Sequence, residues 1–318
     1  MSFHSSLMIE TILENEQGFL VYGLRTERVE LRVVPELGAR LVSLRDLRSN
    51  REWLWHPPGK LNLFRNAFGD PFIKSTMAGM DECLPTLAAC EWKGRQLPDH
   101  GEVWALPWKV DDALFAECRI ATSVRTPLSP FEFERVISLA GSVARFSYRL
   151  INCGAEAEEF VWTVHPLLTL EEGDRMELPD EVNEFRIDGG SGAPELTKGS
   201  VWKYPMPFQN FHLDRLQLGA NVDGCVKGFT HPLRTGLAAV VNDRTGDRLG
   251  FQWDTSENNT LGIWLTRGGL NSWHHVALEP TNGAPDSLAL ACDQWKRHGL
   301  LTPGESKQWS FQLNVGNP

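Results

Sequence analysis

No apolar run in this chain approaches the ~20 residues that a membrane-spanning helix needs. No stretch of a dozen residues carries the three-to-four spacing of an amphipathic helix either, so helices are expected to be short and peripheral. Positive charge is scarce: 31 Lys and Arg stand against 41 Asp and Glu, a formal net charge of −10. The densest basic stretch, Arg40 to Arg51, is broken by Asp46 and by apolar residues. Nothing concentrates cations as a phosphate backbone requires, which excludes nucleic acid and an anionic membrane surface as partners. Paired cysteine motifs are missing as well. Cys83, Cys90, Cys118, Cys153, Cys225 and Cys292 include no CxxC, which reads as reduced thiols and not as a disulfide framework. The opening MSFHSSLMIETILENEQG lacks a basic segment followed by an apolar core, so no signal peptide is expected and the protein is read as cytoplasmic.

What the chain does have is alternation. In Val29-Glu-Leu31-Arg-Val33, apolar and charged residues fall on opposite faces of an extended chain. The pattern recurs in Ala144–Leu150, Leu261–Leu265 and Trp309–Val315. Turn signals separate such runs: Ala140-Gly141-Ser142, Asp243 to Asp247, and Thr302-Pro303-Gly304-Glu305. Trp55–Lys60, Leu84–Pro107 and Asp188–Gly199 read as loops, none long or biased enough to be a linker. Many short strands with Gly/Pro turns predict an all-β sandwich or barrel. With 42% hydrophobic residues for a core, residues 1–318 are read as a single domain.

Twelve tryptophans against three tyrosines leave two readings open: indoles filling a β core, or indoles lining a sugar site. Three clusters place titratable groups among aromatics and prolines: Asp81-Glu82 with Pro98–Trp104, Phe160–Pro166, and Trp273–Asn282. In the second, His165 ends an apolar run and is stopped by Pro166, a strand end suited to a group that titrates near neutral pH. In the third, Glu279 ends an apolar run before Pro280, where desolvation is expected to raise its pKa and suit it to general-base work.

These segments, in this order, resemble the aldose 1-epimerase (galactose mutarotase-like) superfamily, including its hexose-phosphate branch. Pro35-Glu-Leu-Gly-Ala-Arg-Leu-Val-Ser-Leu44 resembles the family's early strand pair. Leu97-Pro98-Asp99-His100-Gly101 with Trp104 resembles its substrate-binding His-Gly motif. Trp162-Thr-Val-His165-Pro166 resembles the strand of the general acid, and Ile263-Trp264-Leu265 with Ala277-Leu278-Glu279-Pro280 the stretch ending in the catalytic Glu-Pro. The tail Leu301–Ser306 is also similar. The resemblance, from about residue 28 to 316, implies a β-supersandwich, mostly antiparallel. It implies a sugar 1-epimerase of an aldose or sugar phosphate, with no metal or organic cofactor: Glu279 as base, His165 as acid, and His100 on the sugar. Asp99, Glu102, Trp104, Trp264 and Lys227 join His100 as expected substrate contacts.

The chain departs from that pattern. The family arginine ahead of the His-Gly motif is absent from Gly79–Cys90, where Asp81 or Glu82 is the expected replacement, with Lys74 as a nearby cation. The family's later carboxylate has Asp223 and Lys227 as nearest candidates. A phosphate clamp would draw on Lys74, Arg95, Lys227, Arg234 and Arg267. Two other functions compete. A non-catalytic carbohydrate-binding protein of the same fold is favoured by the missing arginine and opposed by the retained acid–base pair. A metal hydrolase would use some of the nine histidines, but His274 and His275 are adjacent on a strand and face opposite ways, and no HExxH is present.

Overall fold

The alternating segments are strands: Val29–Val34, Val143–Asn152, Thr260–Arg267 and Ser306–Val315. The turn signals connect neighbours, so Phe131–Ala140 pairs with Val143–Asn152 across Gly141, and Leu237–Asn242 with Arg248–Trp253 across Gly246. The computed structural model describes residues 9–191, 197–207, 212–216, 224–268 and 271–316. Among these, every strand pair is antiparallel, and the helices are short segments such as Asp112–Ala116, capped by the Asp111 carboxylate. No helix of the described residues is long and apolar enough to cross a membrane. Two segments read as loops carry strand: Cys90–Trp92 pairs with Arg95–Leu97 inside the first, and Glu184–Ser191 runs into the second.

Two large sheets face each other. Among the described residues one has twelve strands and holds, side by side at its centre, Met80–Cys83, Thr163–Pro166, His274–Thr281, Thr260–Arg267 and Gly224–Phe229. The other has eight, with Ser306–Val315, Val143–Asn152 and Phe131–Ala140 at its centre. One apolar cluster fills the space between them, drawing Leu31, Met80, Val164 and Leu278 from the first and Phe133, Phe146, Phe251 and Phe311 from the second. Most tryptophans follow the core reading: Trp53, Trp104 and Trp162 are fully buried.

Because successive side chains alternate, strands that bury one face in this core turn the other outward. On Thr163–Pro166, Val164 enters the core while Thr163 and His165 face away. On His274–Thr281, Val276 and Leu278 enter it, leaving His275, Ala277, Glu279 and Thr281 on the far side. The register sets Gly262 opposite Glu279, Trp264 opposite Ala277, and Lys227 opposite Trp264. This far face, covered by loops, carries the candidate site.

Candidate active site

A cavity of about 220 Å³ opens on the far face of the twelve-stranded sheet. Its polar wall is Asp99, His100, His165, Lys227 and Asp286; its apolar wall includes Phe72, Met77, Leu87, Leu167 and Trp264. The sequence order of these residues is scattered, and strand alternation is what gathers His165, Lys227 and Trp264.

The His-Gly loop supplies the next wall. His100 has φ +59° and Gly101 φ +75°, and a Cβ at Gly101 would lie 2.3 Å from the Leu84 carbonyl oxygen. Only glycine fits there, and the tight turn aims His100 back over the sheet. The imidazole stacks on Phe72, with centroids 4.0 Å apart and 8° between planes, and its Nδ1 lies 2.9 Å from Asp99 Oδ1. Asp99 Oδ2 accepts from the Phe72 amide at 2.8 Å, tying the two loops together. Burial raises the Asp99 carboxyl, but the bonds and charge of His100 outweigh it and hold the group below the usual range. The rings of His100 and His165 meet edge to face at 5.2 Å.

Glu279 is fully buried behind this wall. Its Oε2 accepts from Lys227 Nζ, and its Oε1 accepts no hydrogen bond from the described residues while lying 3.7 Å from His165 Nε2. Lys227 also lies 3.2 Å from Asp286 Oδ1. Burial is the largest influence on Glu279 and raises it to about 7, with Lys227 opposing and Asp286 adding to the rise. Burial lowers the Lys227 ammonium, but Asp286 and Glu279 together more than offset this and hold its pKa above the ordinary value. His165 moves the other way: burial first, then His100 and Lys227, push it well below the usual range.

Several expected contacts lie elsewhere. Glu82 points into the core between the sheets, where it binds Arg135, Tyr148 Oη and Trp162 Nε1 at 3.1, 2.9 and 2.9 Å, because it alternates with Asp81 on its strand. Glu102 is a loop staple, accepting from the amides of Leu128 and Ser129. Asp81 faces the far side next to His165 but is not in the cavity wall; Arg40 Nε holds it at 2.8 Å. Trp104 stands behind the wall, edge-on to Phe72, with its Nε1 on the Asp99 carbonyl. Lys74 is exposed and outside the cavity wall, although Phe72 and Ile73 line it. Asp223 lies outside the described residues.

The phosphate-clamp candidates do not converge. Arg95 pairs with Glu158, Arg234 with Glu181, and Arg267 donates to the carbonyls of His212 and Arg215. Among the described residues, no three His, Cys, Asp or Glu side chains are arranged to hold a metal.

Asp286 and Phe72 went unforeseen in the sequence. Asp286 follows a Thr-Asn-Gly-Ala-Pro turn after Glu279, a signal that the chain reverses there. Its carbonyl accepts from the amides of Leu87 and Ala88 at 2.9 and 3.0 Å, which fixes the returning loop against the cavity.

No family model matches the chain, and no curated protein matches it. Solved structures do. The Slr1438 protein from Synechocystis sp. PCC 6803 superposes with a TM-score of 0.72 at 16% identity, covering 97% of this chain and 100% of its own. A galactose mutarotase-like protein from Clostridium acetobutylicum gives 0.68 at 13% identity, covering 98% and 99%. The galactose mutarotase related enzyme from Lactobacillus acidophilus gives 0.64 at 15%, covering 98% of each chain. At these identities the likeness is one of architecture: the chain has the galactose mutarotase-like β-sandwich fold.

Proposed function

We propose that the protein is a sugar 1-epimerase acting on an unphosphorylated aldose, with Glu279 as general base and His165 as general acid. The observation that carries this reading is the 3.7 Å approach of His165 Nε2 to the unpartnered Glu279 Oε1, beside a cavity of monosaccharide scale. Glu279 takes the proton of the anomeric hydroxyl; C1=O forms, the C1–O5 bond breaks, and His165 gives its proton to O5. Rotation about C1–C2 and the reverse transfers close the other anomer.

The pair must hold one proton in total. Before sugar binds, Glu279, whose pKa burial raises, takes that proton in preference to His165, whose pKa burial lowers. A bound sugar offers a donor hydroxyl to the carboxylate and an acceptor ring oxygen to the imidazole, so binding itself favours the ionised Glu279 and protonated His165. A phosphate is disfavoured because Lys227, the cavity's lysine, is already shared by two carboxylates. The full burial of Glu279 favours a second reading, a sugar-binding protein without turnover.

NMR saturation transfer between the anomers of a panel of free and phosphorylated sugars separates the two. Catalysis is expected to speed exchange of one free aldose, and Glu279→Gln is expected to cut that rate ~10²–10⁴-fold while the sugar still binds. Ligand-induced shifts with no accelerated exchange for any sugar would establish the binding protein instead.

A further inference from the structure

Lys227 is a buried cation held between two carboxylates, and each contact has a geometric consequence. Its Nζ bonds Glu279 Oε2, which fixes the carboxylate plane and leaves Oε1 facing His165. It also lies 3.2 Å from Asp286 Oδ1, on a loop whose backbone is pinned to Leu87 and Ala88. Lys227 itself sits in the centre of a strand, opposite Trp264, and its ammonium lies 5.2 Å from the Phe229 ring. An ammonium enclosed this way has few alternative positions.

We infer that Asp286 and Lys227 form a positioning clamp on Glu279, in which Lys227 orients the carboxylate and Asp286 withholds part of the lysine's charge from it. The clamp rests on the acid–base reading for its purpose, but not for its existence. Other groups near Glu279 surround the same centre: His165 at 3.7 Å from its Oε1, His100 in the cavity wall, His275 on its own strand, Cys83 and the Arg40-bound Asp81 on the strand beyond His165. Asp188, paired with Lys198, adds negative charge that acts on Asp286. None of these touches Oε2, so Lys227 is placed to dominate it.

The two members of the clamp act on Glu279 with opposite sign. Lys227 stabilises the carboxylate, so its loss raises the pKa of Glu279. Asp286 both repels the carboxylate and competes for the ammonium, so its loss lowers that pKa. General disruption of the site would not produce opposite displacements.

The test is a 13C-carboxyl NMR titration of protein labelled at glutamate, with the Glu279 resonance assigned from Glu279→Gln. Lys227→Met is expected to move the Glu279 titration up by about one to three pH units, and Asp286→Asn to move it down. Movement of both in the same direction, or of neither, overturns the clamp. If Lys227→Met does not fold, a downward displacement in Asp286→Asn alone supports it and none overturns it. The titration needs no turnover. Wild-type protein that exchanges no sugar, with the two variants displaced as stated, would therefore overturn the epimerase reading and leave the clamp intact.

Discussion

Gly262 lies directly opposite Glu279 in the sheet, and a Cβ added there would fall 3.2 Å from Glu279 Oε2 and 3.1 Å from the Phe229 ring. The missing side chain makes the space in which the carboxylate and the Lys227 ammonium meet. Gly262→Ala is therefore expected to displace Glu279 by a few tenths of an ångström against His165. Small misplacements of reacting groups are costly, so anomeric exchange should fall by about tenfold while the fold persists. Exchange kinetics with a thermal melt as control check this; an unchanged rate would mean that Glu279 does not act from the position seen.

The rate is expected to depend on pH with its upper limb near neutrality. The active pair carries one proton, and the last one leaves with the pKa of about 7 on Glu279. Above that value the pair has nothing to give the ring oxygen, so kcat/KM should decline as pH rises past about 7. At low pH a second proton silences the base. The measurement is the pH profile after subtraction of spontaneous mutarotation, and a plateau extending well above pH 8 would sink the one-proton scheme.

The sandwich was legible because period-two alternation, as in Val29–Val34 and Ser306–Val315, reports one buried face directly. His165 and Glu279 stood out for the same reason, each ending an apolar run before a proline. Alternation also explains the misreadings. Asp81 and Glu82 are neighbours in sequence and read as one cluster, yet they point to opposite faces, one beside His165 and the other into the core. Glu102 and Trp104 sit in the right loop but face its interior, where they hold it in shape. Asp286 was hidden because no local pattern says where a turn brings a carboxylate, and Lys227 reads as a substrate contact whose bond to Glu279 emerges only from the strand register.

The Glu82–Arg135 pair belongs to stability. Both side chains are fully buried, and Glu82 also accepts from Tyr148 and Trp162. Removing one partner strands the other charge, so Arg135→Met should cost ~3–5 kcal/mol of unfolding free energy. Activity per folded molecule should be unchanged, since neither residue lines the cavity. Urea unfolding checks the first statement and exchange kinetics normalised to folded protein the second. A loss confined to KM would return Glu82 to the substrate site.

His275 is expected to make the protein acid-sensitive. It is fully buried against Trp55, at 4.7 Å between ring centroids, and neither ring nitrogen has a hydrogen-bond partner among the described residues. Burial first, then the charge of His274, lowers its pKa to about 3. The native state thus refuses a proton that the unfolded chain accepts below its ordinary 6.5. Stability is fully present above pH 6.5 and drains away as pH falls towards 3, with this histidine contributing a slope of about 1.4 kcal/mol per pH unit. His165, also buried and lowered, adds to the same trend. Denaturant titrations between pH 7 and pH 4 should show the decline, and His275→Phe, which cannot bind the proton, should flatten it by about one proton's worth. An equal slope in wild type and variant would mean that His275 finds a partner for its charge and that the acid sensitivity lies elsewhere.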